Sequence, residues 1–298
     1  MHPKETLAYI HFLRWQDLFQ TEKPFQIFRD IHPESKDQRQ TNLIFDPFQV
    51  SVQNIRGLET QFDLDTQGFK IVHLSTFEKA VHGRSVESLY LPQVQNLLEK
   101  EFSESRRIAI FDWRKRELNA NGTRDVIDLE DRSAPLKPTN YAHIDATPLA
   151  VIQRVQKELG CEATDLLKSR LRIINVWRPI ENTVEDWPLA ICDGSTIDPS
   201  ALVETDQVRN TDVGSNYFAM HRSCNEWYYL HHQREDEVFL FKQFDSDPHV
   251  AAKCRASKCE QWCFPSCKRK GYNMWRDGVG TASTLGRSAL FRLSDNLH

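Results

Sequence analysis

Short apolar runs set apart by turn-forming residues constrain this chain more than any other feature. In the second half four of them follow one another: LRIINVW (171–177), PLAICD (188–193), NEWYYL (225–230) and EVFLFKQFD (237–245). Each is shorter than an average helix, and together they are rich in the β-branched and aromatic residues that fit a pleated surface. Pro, Asp, Ser and Asn separate them, which places turns between strands. Short strands with no helix between successive members imply an antiparallel core, a double-sheet jelly roll or barrel. No repeat of fixed period runs through the chain, so a solenoid is excluded.

The first half adds helices at the flanks. Leu7, Ile10, Leu13, Trp15, Leu18 and Phe19 recur at an approximately helical spacing, so residues 1–40 are expected to form a mainly helical lead-in. Strands are expected at 41–45, 48–52, 68–74 and 107–112. An amphipathic helix is expected over 86–102, with Leu89, Val94, Leu97, Leu98 and Phe102 on one side and Pro92 in its first turn. Residues 115–140 read as a polar loop. A second helix is expected over 147–159, opened by Pro148 and stopped near Gly160. The fold class is thus mainly β with flanking helices around a jelly-roll core.

Composition bounds the function classes. The chain has 298 residues, 40% of them hydrophobic, enough for a sizeable core. A net charge of −4 gives no global basic field, so nucleic acid is not an expected partner. No run of 18 apolar residues marks a membrane span. The opening residues MHPKET lack the basic-then-apolar order of a signal peptide, so a cytoplasmic location and seven reduced cysteines are expected. Charge is unevenly spread. Residues 250–298 carry nine Lys/Arg against three Asp/Glu, and hold four of the seven cysteines. The expected organisation is a lead-in (1–40), a body (41–249) and a basic, Cys-rich tail (250–298).

One segment carries chemistry. In AHIDATP (142–148) the pair His143 and Asp145 falls on one face of an extended backbone, because strand side chains alternate with period two. One imidazole and one carboxylate on that face are two thirds of the 2-His-1-carboxylate triad that holds non-haem Fe(II) and leaves positions open for co-substrate and oxygen. The bland reading of the same residues is a turn Asp beside a half-buried His.

Several blocks in order resemble one fungal family. They are NIRG (54–57), Asp63 and Asp65 ahead of Gly68 and Phe69, Tyr90-Leu91-Pro92, IFD (110–112), AHIDATP, NVWRPI (175–180), PLAICD, WYY (227–229), LFK (240–242) and FDS (244–246). This set is similar to the asaB-type hydroxylase/desaturase family, which includes gibberellin desaturases and cephem-methoxylase-like proteins. The resemblance implies a double-stranded β-helix oxygenase that uses Fe(II), O2 and 2-oxoglutarate to hydroxylate or desaturate a small natural product. It places two iron ligands at His143 and Asp145. It also implies a distal His, a Pro-Arg-Glu-Ser segment and a final strand, and here the chain departs. After Asp247 the sequence runs PHVAAKCRASKC. His249 is the remaining third-ligand candidate there, with a solvated loop histidine as its bland reading. His221, His231 and His232 lie in polar loops. RSALFRL (287–293) is the remaining candidate for the family's final strand, which makes Arg287 and Arg292 the candidates to hold the keto acid by a two-pronged contact, with a surface arginine as the bland reading of each. Arg178 is either a further anion contact or a brace for the core.

Three other readings remain open on the sequence. The body belongs to an inactive family member that binds or scaffolds. Alternatively Cys254, Cys259, Cys263 and Cys267 hold zinc in a small module flanked by KRK (268–270), although they lack the usual two close pairs. Finally, the compositional break near Asp247 marks a foreign C-terminus joined to a family-like body. A small-molecule substrate is the expected partner, with no nucleic acid, no membrane and no preferred oligomeric state.

Overall fold

The computed structural model describes residues 4–74, 86–117, 135–180, 182–209, 212–250 and 287–297, the last of these by backbone alone. In chain order its strands are β1 (Glu5–Leu13), β2 (Phe25–Ile27), β3 (Phe45–Asn54), β4 (Phe69–His73), β5 (Ser105–Glu117), β6 (His143–Ile144), β7 (Leu171–Pro179), β8 (Ile191–Cys192), β9 (Leu202–Val208), β10 (Val213–Ala219), β11 (Trp227–Tyr229), β12 (Glu237–Asp245) and β13 (Arg287–Leu297). Helices α1 (Leu91–Glu101) and α2 (Pro148–Leu159) flank them. Hydrogen bonding joins the strands into sheets of order β1-β3-β11-β8, β2-β9-β10-β6 and β4-β12-β7-β13-β5. They close around a common interior as the jelly roll expected from the run of short strands. The sheets are mixed rather than purely antiparallel, since β11 runs parallel to β3, β2 to β9, and β13 to both its neighbours.

Burial on two faces explains the most apolar strands. All nine residues of β7 and all nine of β12 are buried. Ile174, Val176, Val238 and Leu240 pack outward against Val94, Leu97 and Leu98 of α1. Trp177, Phe239 and Phe241 pack inward with Ile55, Phe69 and Leu230. A strand covered on both sides reads as a continuous apolar run, as these two do. A five-residue π turn (Val86–Tyr90) leads into α1, and Pro92 sits in the first α turn, where its missing N–H costs nothing. Thr147 caps α2 by accepting the Ala150 N–H, and Gly160 ends it at φ +51°, which a residue with a Cβ rarely adopts.

The expected helical lead-in is corrected to strand. β1 pairs antiparallel with β3 over its whole length, so this segment is part of the first sheet. Its burial alternates. Ile10 and Phe12 enter the core with Val52 and Trp227, whereas Leu7 and Tyr9 are exposed. Leu7, Ile10 and Leu13 matched a helical period only because strand alternation and an exposed apolar residue coincide there. The strands β9 and β10, which the turn pattern did not single out, are built from mixed polar sequence in which Val203, Thr205, Ser215, Asn216, Tyr217 and Phe218 supply the buried positions. At the C-terminal end the expected strand at 287–293 extends to Leu297 and lies inside a sheet, between β7 and β5. The residues between, including Cys254, Cys259, Cys263 and Cys267, lie outside the described residues.

Candidate active site

β6 places the first two site residues. Its short ladder to β10 sets Phe218 opposite His143 and Tyr217 opposite Ile144, and Ile144 turns into the core beside Val151 of α2. His143 and Asp145 therefore turn the other way, toward a cavity of about 760 Å3. Their facing atoms, His143 Nε2 and Asp145 Oδ1, are 3.3 Å apart, with the side chains 27% and 18% exposed. The pair thus shares one face, as period-two alternation implied, and it is open to the cavity.

Hydrogen bonds fix both groups. His143 Nδ1 lies 2.7 Å from the Tyr141 carbonyl oxygen. A carbonyl only accepts, so Nδ1 donates to it, and Nε2 is the ring nitrogen on the cavity side, the atom a metal ion would take. Asp145 Oδ2 accepts from Asn175 Nδ2 at 2.7 Å, and the Asp145 backbone N–H donates to Gln243 Oε1 at 2.9 Å. Gln243 reaches the site by alternation, on the inward face it shares with Phe239 and Phe241, and a β-bulge follows it. The register between β12 and β7 skips it, passing from the pair Lys242 and Ile174 to the pair Phe244 and Ile173. Gln243 and Phe241 both face the cavity, while Phe244 joins the core under α2.

A second skip brings in cations. Along β13 and β5 the register passes over Phe111, after which Trp113 packs toward α1 and Arg114 and Arg116 line the cavity. Arg114 is 6% exposed. The cavity lining is mixed. His143, Asp145, Asn175 and Gln243 form a polar cluster, Arg114, Arg116, Glu185 and Asp186 add charges, and Ile10, Val52, Ile197, Trp227 and Tyr229 form an apolar wall. Asn175, Gln243, Arg114 and Arg116 carried no site role on sequence grounds. The signal for the arginines was the alternation in WRKR (113–116), readable only once the outward face of Trp113 is known.

The other sequence candidates fall elsewhere. His249 is exposed in a turn, its backbone N–H donating to Asp247 Oδ1 at 2.9 Å, and it does not line the cavity. Among the described residues no group of three His, Cys, Asp or Glu side chains is placed to hold a metal ion. His221 stacks on Phe48 with ring centroids 4.1 Å apart, and burial lowers its pKa from the usual histidine range. His231 lines the cavity, whereas His232 points into an exposed turn at φ +49°. Arg178 is fully buried, donates to the Pro179 carbonyl at 3.0 Å and lies over the Tyr90 ring, so it braces β7 against the helical layer. Backbone register sets Arg292 beside Asn175, and Arg287 at the far end of β13 beside Ser105.

A His-x-Asp pair inside a jelly roll supplies two of the three ligands of the facial triad that non-haem iron oxygenases use. Comparison with known proteins agrees. A family model described as an oxidoreductase/YMDC permease-like domain matches residues 10–261. The Fe(II)/2-oxoglutarate-dependent dioxygenase nvfI of Aspergillus novofumigatus is 30% identical over 230 residues, which cover 74% of this chain and 78% of the relative. Hydroxylase/desaturase CTB9 of Cercospora beticola is 30% identical over 224 residues, covering 68% of this chain and 67% of the relative. The solved structure of the iron and alpha-ketoglutarate-dependent endoperoxidase NvfI matches with a TM-score of 0.69 at 26% identity, over 84% of this chain and 87% of that one. The chain belongs to the fungal family of Fe(II)/2-oxoglutarate-dependent dioxygenases and hydroxylase/desaturases. Among the described residues no helix is long and apolar enough to cross a membrane.

Proposed function

We propose that this chain oxidises a small natural product with O2 and 2-oxoglutarate as co-substrates, on an Fe(II) held by His143 and Asp145. The observation that carries the reading is the paired state of these residues: Nε2 of an imidazole held by the Tyr141 carbonyl and Oδ1 of an anchored carboxylate, 3.3 Å apart on a cavity wall. This donor set suits Fe(II), which takes imidazole and carboxylate together. When bound, the iron supplies the chemistry that couples decarboxylation of the keto acid to removal of hydrogen from a C–H bond. The protein's own residues bind and orient. Arg114 and Arg116 give the cavity lining the positive charge that the carboxylates of a keto acid need, and the backbone of Arg292 lies in register beside Asn175. The apolar wall takes the hydrocarbon body of the substrate and keeps water from the reacting carbon.

A second reading is favoured by one observation, that no third metal-ligating side chain joins the pair among the described residues. On that reading the chain binds small molecules without turning them over. Anaerobic reconstitution with ferrous iron, followed by 2-oxoglutarate and oxygen, separates the two. The enzyme reading expects bound iron and succinate release, both falling to background in Asp145→Ala. Absence of iron uptake and of succinate in the wild-type chain refutes it.

A further inference from the structure

One side chain beside the pair is built around Asp145 rather than around the core. Asn175 lies in the middle of β7 and is 4% exposed. Its Nδ2 donates to Asp145 Oδ2 at 2.7 Å. Chemistry fixes the direction of that amide. An ionised carboxylate only accepts, so the NH2 group faces it and the carbonyl points away. The carbonyl oxygen Oδ1 is then buried with no hydrogen-bond partner among the described residues. A buried acceptor left in that state destabilises a fold, and a leucine would fill the same space without one. The core therefore gains nothing from an amide at this position, whereas the carboxylate gains a fixed orientation. With Oδ2 engaged by Asn175 and the backbone N–H engaged by Gln243, the atom of Asp145 left facing His143 Nε2 is Oδ1.

We propose that Asn175 is a positioning residue for metal binding, holding Asp145 Oδ2 so that the carboxylate presents Oδ1 alone to the ion. The inference rests on the iron reading of the site and adds to it how the carboxylate is held. Outer partners of metal ligands set ligand orientation, and their removal typically weakens metal binding about 10–100-fold.

The test uses the full chain with cobalt(II) as the probe, because its visible absorption reports both occupancy and ligand geometry. Asn175→Leu removes the donor and the stranded acceptor while keeping the volume. The expected result is a metal-free melting temperature equal to or above wild type, cobalt affinity weaker by about 10–100-fold, and an altered absorption band. Asn175→Ser, which withdraws the donor from reach, is read in the same way and serves if the leucine variant does not fold. Wild-type cobalt affinity and spectrum in these variants, with binding abolished in Asp145→Ala, overturns the role of Asn175 alone. Loss of cobalt accompanied by a collapse in melting temperature in both variants also overturns it, because Asn175 is then a structural residue. A wild-type chain that takes up no cobalt overturns this inference and the iron reading together.

Discussion

Replacing Asp245 with asparagine is expected to destabilise the protein by about 3–5 kcal/mol, the usual consequence of removing one partner from a buried ion pair. Asp245 ends β12 and is fully buried. Its carboxylate accepts from Arg170 Nε at 2.9 Å, Arg170 Nη2 at 2.6 Å, Lys242 Nζ at 2.7 Å and the Asp247 backbone N–H at 3.0 Å. Asparagine turns its NH2 group either toward Arg170 Nε and the Asp247 N–H or toward Arg170 Nη2 and Lys242 Nζ, so two of the four hydrogen bonds are lost in either orientation. In the second orientation Lys242, itself fully buried, is left with Asp65 at 2.9 Å, a residue 44% exposed. Hydrogen bonds to charged groups contribute about 1.5–3 kcal/mol each, so the loss of two leads to the same range as the ion-pair figure. Urea denaturation measures it, as a lower midpoint at an unchanged slope. In a chain of this size the melting temperature falls by roughly 10 °C. Asp247→Asn is the internal control. Its side chain is 31% exposed and stands 4.0 Å from Arg170, so a change within about 1 kcal/mol is expected. If Asp245→Asn costs less than about 1 kcal/mol, or if the loss matches that of Asp247→Asn, the cluster does not act as a buried electrostatic lock.

Two further outcomes follow from the same structure. Thr147→Ala removes the N-cap of α2 and the partner of Ser215 Oγ at 2.5 Å, and is expected to lower stability by about 0.5–2 kcal/mol in a thermal melt. Acid should weaken the fold through Asp65. Burial pushes its carboxyl up, but hydrogen bonds from Lys242 and Arg170 outweigh that and hold it at about 2. Because the folded value lies below the unfolded one of about 3.9, its contribution is present above that value and is lost as pH falls toward 2. Urea midpoints between pH 6 and pH 3 should therefore fall less steeply for Asp65→Asn than for wild type, and equal slopes would remove Asp65 from the account.

What the sequence made legible divides along physical lines. β12 occupies 237–245, the span of its apolar run, because a strand covered on both faces shows its length directly. α2 was legible from Thr147, Pro148 and Gly160, each of which acts through local backbone chemistry. His143 and Asp145 share a face because alternation is also local. The lead-in was misread because exposed Leu7 supplied a helical spacing that the pairing of β1 with β3 overrides. The rest of the site was hidden because its residues arrive from β5, β7 and β12, and β5 skips a residue on the way. A skip of one residue exchanges the faces of everything after it, and nothing in the local sequence announces the exchange at Phe111.

The position of β13 bears on how the molecule comes together. β5 and β7 are hydrogen-bonded to β13 on either side of it, so their place in one sheet depends on residues 287–297. Those residues emerge from synthesis after every other described strand. Until they arrive, the strand that carries Arg114 and Arg116 and the strand that carries Asn175 present unfilled edges to one another, and such edges template association between chains. Cavity closure thus waits for residues 287–297, whose pairing with β5 reaches far back along the chain.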